Sequence, residues 1–346
     1  MGSPQASEGS YLVDFFDDLL RSDLEWSIRE EYPLLFDSVE TRSQVFQLSE
    51  LESSEPTTRA KEPSTPEERF ELLSSSPKPV EKFGGPNQIF VVQDEGKLVA
   101  GLGVLLKEIP ARIDRKLLVA FIGNVVTHPD YRNQGLQRKL FDRVDRELEQ
   151  IGCDLSLLWS NQIDFYQRLG FRLGGLQVTW APPMIKTESP VQHSEHWELS
   201  KELGFRDVWY EAMKARSFVP HRTYEEAKAL FQIPEMYLIT HGDAYALVGK
   251  GADFEGVCHE WGGPAEDLAE CFKKIQSVDK SVRILGPGVL HSESEMKAVR
   301  SLQTAGFEPR LEYLGLFRAH LDAVNLDDLQ PDQLKYPFFV WGLDSI

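Results

Sequence analysis

Arg132 and Gly135 lie three residues apart in the stretch THPDYRNQGLQ (Thr127–Gln137), where an apolar run stops and a helical pattern starts at once. A helix N-terminus offers about four backbone N–H groups without intrahelical partners and roughly half a positive charge. Glycine lets a ligand approach the backbone closely, and arginine adds a permanent cation. The backbone donors of Asn133, Gln134, Gly135, Leu136 and Gln137 are thus spaced to converge on one anion of pyrophosphate size. Taken alone, an arginine and a glycine at this spacing also describe an ordinary strand-to-helix turn with no ligand. His128 precedes a proline and reads as part of the turn.

The rest of the chain narrows the chemistry. Its 346 residues suit two domains. The net charge of −18 argues against nucleic acid, whose binding needs clustered Lys and Arg. It suits a cationic small molecule or peptide as partner. Cys153, Cys258 and Cys271 are scattered, without ligand spacing to one another or to histidines, so reduced core thiols and no metal are expected. The opening MGSPQASEGS has no basic or apolar signal region, and no apolar run is long enough to cross a bilayer. A cytoplasmic protein is the expectation.

The elements that must position the turn follow from periodicity. Residues 10–37 repeat apolar side chains at three and four, a helical pattern. About 48–87 is rich in Pro, Ser, Thr and charge and reads as a loosely ordered insertion, with an active-site lid as the alternative. Two β-rich runs flank Asp94-Glu95-Gly96-Lys97, a hairpin signal. KLLVAFIGNVVT follows as a strand apolar on both faces. Leu136, Leu140, Phe141, Val144, Leu148 and Ile151 mark one face of the helix after the turn. DLSLLWS reads as a strand, IDFYQRL as a short helix closed by Gly170, and FRLGGLQVTWA as a final strand segment. After PPMIKTESP a similar order returns: helices, a hairpin around Gly242-Asp243, the strand GVCHEW, a helix, a strand, a helix and the strand RLEYLGLFRAHL. LQTAGF at 302–307 echoes YQRLGF at 166–171, which suggests a diverged internal duplication.

With Val-x-x-His-Pro-Asp-Tyr-Arg-x-x-Gly after a buried strand and F-Y-x-x-x-G-F some thirty residues on, residues 88–180 resemble the GNAT (Gcn5-related N-acetyltransferase) superfamily. Its signature [Q/R]-x-x-G-x-[G/A] opens the helix that holds the acetyl-CoA pyrophosphate; Gln137 stands here where the family prefers Gly or Ala. The resemblance implies an α/β (α+β) fold of two GNAT-like domains, each a mixed twisted sheet flanked by helices. The division expected is 1–183, catalytic, and 184–346, degenerate. It implies that Val125, Val126 and Thr127 pair with the pantetheine arm as an added strand. Arg132, Asn133, Gln134, Gly135, Leu136 and Gln137 then hold the pyrophosphate, and Tyr166 is the general acid. Asn161 or Ser160 would touch the cofactor. For a general base the candidates are Glu108, Glu260, and Asp344 or the Ile346 carboxylate, should the apolar tail YPFFVWGLDSI pack inward as a strand. The second half lacks the arginine, carries Glu266 and Asp267 at its helix mouth, and has Leu302 in place of Tyr166, so one cofactor site per chain is expected. The implied function is transfer of an acetyl group from acetyl-CoA to an amine. The alternative is a non-catalytic acyl-CoA-binding, sensing or scaffold protein. An aminoacyl-transferring relative would need a basic RNA-docking surface, against the net charge.

Overall fold

The structure is a computed structural model that describes residues 41–47, 87–95, 97–112, 115–182, 205–216, 218, 222–233, 236–250, 254–290, 293–320, 324–330 and 339–344. The helical pattern at 10–37, most of the Pro- and Ser-rich insertion, and Ile346 lie outside the described residues.

The first half runs β1 (Thr41–Gln47), β2 (Asn87–Asp94), β3 (Lys97–Arg112), β4 (Arg115–Thr127), α1 (Leu136–Gln150), β5 (Leu155–Leu158), α2 (Ile163–Gln167), β6 (Arg172–Gly174) and β7 (Gln177–Ala181). The second runs α3 (Asp207–Lys214), α4 (Tyr224–Leu230), β8 (Tyr237–His241), β9 (Ala244–Val248), β10 (Val257–Gly262), α5 (Ala265–Val278), β11 (Arg283–Pro287), α6 (Glu293–Thr304), β12 (Glu308–Glu312) and β13 (Gly315–Ala319). Within the described residues, the expected hairpins, the helices after residue 128 and the buried central strand are present. Strand β1, in parallel register with β2, carries no strong sequence signal.

Two mixed sheets result, in the orders β1-β2-β3-β4-β5-β13-β6 and β8-β9-β10-β11-β7-β12. Apart from β1, the pairing senses repeat strand for strand: antiparallel, antiparallel, parallel, antiparallel, antiparallel. The order of elements along the chain repeats as well. One position breaks the correspondence, and it breaks it reciprocally. The last strand of each half leaves its own sheet and inserts into the other, β13 between β5 and β6 and β7 between β11 and β12. The segment 310–321, expected as one strand, and the segment 171–181, expected to have strand character, are therefore each two strands belonging to different sheets.

The two connections touch where they cross. Leu314 N donates to Gly174 O at 3.0 Å. Gly175 has φ +66°, and a Cβ there would stand 2.7 Å from Leu314 Cβ. Glycine at 175 thus meets both a left-handed backbone and a close crossing. The duplication shows in the caps too. Phe171 N bonds Tyr166 O and Gly170 N bonds Gln167 O; Phe307 N bonds Leu302 O and Gly306 N bonds Gln303 O. Both are Schellman closures with a left-handed glycine.

Each face of the first sheet is buried differently. Ala120, Ile122, Leu136, Leu140, Phe141 and Val144 form the core under α1. Leu117, Val119, Phe121, Leu155 and Leu157 face the other way, into a core shared with Trp180, Trp261, Ile284 and Trp341. At the C-terminal end Phe339, Val340 and Trp341 lie in that second core, and the segment runs into a 3-10 turn, Gly342–Asp344, not a strand.

Candidate active site

Strand β4 pairs with β5 only through Val119–Leu155, Ala120–Ser156 and Phe121–Leu157. β4 then runs six residues farther to Thr127, while β5 ends at Leu158. Beyond Phe121 one edge of β4 has no strand beside it among the described residues. A bulge marks the same place. Against β3 the register jumps from Gly103–Gly123 to Gly101–Val126, and Asn124 takes φ +53°. The extra residue bends and twists β4 at the point where it parts from β5. Gly123-Asn124 within an apolar run was the sequence signal for it.

After β4, His128 Nδ1 accepts from Asp130 N at 3.3 Å and caps the 3-10 turn Pro129–Tyr131, the structural role expected for it. Asn133 and Gly135 both adopt positive φ, +63° and +76°. Lys139 N bonds Gly135 O at 3.2 Å, so the N–H groups of Leu136, Gln137 and Arg138 belong to the unpaired first turn of α1. A Cβ on Gly135 would meet nothing within 4 Å; the glycine faces open space. No side chain caps α1. Asn133, Gln134 and Gly135 are exposed, and Leu136 is buried beneath them.

Arg132 is exposed, and its Nε donates to Thr127 O at 3.2 Å, which holds the cation over the end of β4. Gln134 Nε2 donates to Asp130 O at 3.2 Å within the turn. Gln137 does more than occupy a small-residue position. Its buried amide nitrogen donates to Val126 O, to Gly101 O at 3.3 Å and to Thr127 Oγ1 at 3.1 Å. It braces the first turn of α1 against the bulge. Sequence reasoning placed Gln137 at the pyrophosphate but missed this bracing.

Tyr166 lies on α2, its ring edge-on to Phe141, Phe165 and Phe171. Arg138 Nη2 donates to Arg168 O at 3.0 Å, tying the end of α2 to the mouth of α1. The Tyr166 side chain is buried, yet its hydroxyl makes no hydrogen bond among the described residues. Burial pushes its pKa up to about 12, so the phenol keeps its proton at neutral pH. Asn161 is exposed and, with Gln162, Ile163, Asp164 and Phe165, lines a depression at the start of α2. Ser160 Oγ accepts from Gln162 N at 3.0 Å.

The structure disperses the candidate bases. Glu108 is exposed and paired with Lys116 at 3.1 Å. Glu260 is fully buried against Arg216 and accepts from Leu343 N at 3.3 Å. Asp344 is fully buried, with Oδ1 bonded to Lys107 at 2.9 Å and to Arg222 Nε at 2.9 Å, and Oδ2 bonded to Arg222 Nη2. Burial alone would raise its carboxyl, but Arg222 and Lys107 outweigh that and hold it down at about 2. Both carboxylates serve a buried ion network that joins β3, β10 and the C-terminal turn. In the second half, Asp267 Oδ2 accepts from Asp243 N at 3.1 Å, so the mouth of α5 is closed on a hairpin by an acid.

Residues 58–174 match the family model described as the acetyltransferase (GNAT) domain. The matched stretch includes β4, the turn, α1 and Tyr166. Solved structures similar in fold include a GCN5-related N-acetyltransferase from Kribbella flavida, with 16% identity over 66% of this chain and 58% of that one, TM-score 0.42. A probable N-acyltransferase from Enterococcus faecalis V583 has 16% identity over 75% and 66%, TM-score 0.44. A GNAT family N-acetyltransferase, YhbS, from Escherichia coli in complex with CoA has 22% identity over 23% and 42%, TM-score 0.21. The chain thus spans under two thirds of the length of the first two. No curated protein matches the chain.

Proposed function

We propose that the first half of the chain transfers an acetyl group from acetyl-CoA to the amine of a cationic small molecule or peptide, and that the second half completes the structure without a cofactor of its own. The observation that carries this is the coincidence at one point of a strand edge without a partner and an uncapped helix mouth facing open space. Those residues fit a diphosphate joined to an extended amide-bearing arm. The N–H groups from Asn133 to Arg138 and the Arg132 guanidinium would hold the diphosphate, and the free edge at Val125–Thr127 would align the arm. Acetyl-CoA supplies an activated acyl group as a thioester with a thiolate leaving group. Tyr166 Oη is the proton donor to that sulfur in this reading, because it stays protonated at neutral pH and has no competing partner among the described residues. Asn161 stands at the start of the same helix, within reach of the arm. Alignment of the two reactants supplies much of the rate, up to roughly 7–11 kcal/mol of the barrier. A cytoplasmic setting goes with this reading.

The test is calorimetric titration of the purified chain with coenzyme A, with Gly135→Glu as comparison. Wild type is expected to bind and the variant to lose at least about a hundredfold in affinity, since a carboxylate at the helix mouth opposes the anion. No heat with wild type would overturn the proposal.

A further inference from the structure

Among the described residues, four large apolar side chains are exposed: Trp159, Met296, Leu311 and Tyr313. Trp159 stands where β4 and β5 part, beside Gly315, and Tyr313 lies two residues before that glycine. Trp159 is the first residue after β5. Continued in register from Phe121–Leu157, it would stand opposite Gly123, just past the last strand pair. Its ring stacks on the buried Phe121 ring, with centroids 5.9 Å apart and planes 11° from parallel, and the residue remains 38% exposed. One face of the indole is therefore covered and rigidly backed. Its Nε1 lies 3.5 Å from where a Cβ on Gly315 would stand. Tyr313, 45% exposed, and Leu311, 70% exposed, belong to the segment of the second half that leads into Gly315.

The direction matters as much as the exposure. Phe121 belongs to the core opposite α1, whereas the residues under α1 belong to the other core. Trp159 thus lies on the sheet face away from the helix mouth, at the fork of the two strands. An acyl donor seated at that mouth and extended along β4 would end at this fork. A nucleophile attacking from the opposite side would arrive over Trp159.

We propose that Trp159, backed by Phe121 and standing beside the segment that carries Tyr313, is the acceptor platform, and that the acceptor is an amine carried on a flat apolar body, an arylalkylamine. An aromatic ring stacks offset on an exposed indole, and the ammonium form is attracted to the same π-face before it loses its proton. A hydrophilic polyamine would leave the exposed ring surface of Trp159 in water. The inference rests on the acyltransfer reading and adds the substrate class and a contribution from the second half.

The experiment uses the full chain, with phenethylamine and spermidine as probes. Wild type is expected to acetylate phenethylamine with kcat/KM at least tenfold above that for spermidine. Trp159→Ala should raise KM for phenethylamine about tenfold and leave coenzyme A affinity unchanged; Trp159→Phe should stay within about threefold of wild type. Tyr313→Ala, at an exposed position, gives a second variant whose folding is not at stake. If wild type binds coenzyme A but prefers spermidine, or if Trp159→Ala changes nothing, the platform is overturned while the acyltransfer reading stands. If coenzyme A does not bind, direct calorimetry with phenethylamine decides. Binding lost in Trp159→Ala keeps the platform as a ligand site and discards the reaction; no binding discards both.

Discussion

Tyr166 and Asp145 show how burial dominates what a titratable group can do. Tyr166→Phe keeps the aromatic packing against Phe141 and Phe171 and removes only the hydroxyl. On the proposed mechanism it lowers kcat by about a hundredfold or more, with coenzyme A affinity unchanged in calorimetry. Asp145, on α1, faces Arg318 and His320 of the exchanged strand region and shares its helix with Asp142 and Glu149. Burial raises its carboxyl from 3.8 to about 7 despite the attraction of Arg318. The folded state therefore holds this proton more tightly than the unfolded chain does. Stability from this group is present below about pH 4 and is lost as pH rises through about 7, a difference of about 4 kcal/mol. Denaturant melts of wild type and Asp145→Asn from pH 4 to 8 should differ by that slope; parallel curves would show that the side chain is not protonated in the folded state.

At the scale of elements, sequence pattern revealed the hairpins, the central buried strand and the helix after the Arg132–Gly135 turn, because each is local in cause. Alternation, a 3.6-residue apolar stripe and a terminal glycine are written in consecutive residues. The site was legible for the same reason, since Arg132 to Gln137 form one continuous turn. What stayed hidden depends on residues far apart in the chain. FRLGGLQVTWA looks like one strand because nothing local says that Leu314 will cross at Gly175. Likewise, Gln137 looks like a departure from a small-residue motif until Val126 and Gly101 are seen to need its amide. Two glycines with the same backbone sign should respond differently. Gly135→Ala faces open space and costs only the left-handed penalty, ~1–2 kcal/mol. Gly175→Ala adds a clash with Leu314 and should cost ~2–4 kcal/mol. Thermal melts of the two variants measure the difference.

Over the whole molecule, neither sequence half is a physical unit. Expressed alone, residues 1–183 would lack β13 between β5 and β6, and residues 184–346 would lack β7 between β11 and β12. Each should be unfolded by circular dichroism, and mixing the two should restore structure; an independently cooperative melt of either half would contradict the exchange. The ion network adds a second tie. Asp344→Ala would leave Arg222 and Lys107 without their carboxylate and should cost about 3–5 kcal/mol, read by urea denaturation. The exchange also sets a timetable for biosynthesis. When β6 leaves the ribosome, the gap between it and β5 cannot close until Gly315–Ala319 has been made, about 140 residues later. At roughly 5–20 residues per second that is about 7–28 s, during which the nascent chain carries open strand edges able to pair with a neighbour. Slow synthesis or crowded polysomes should therefore penalise this chain more than one whose sheets close in order.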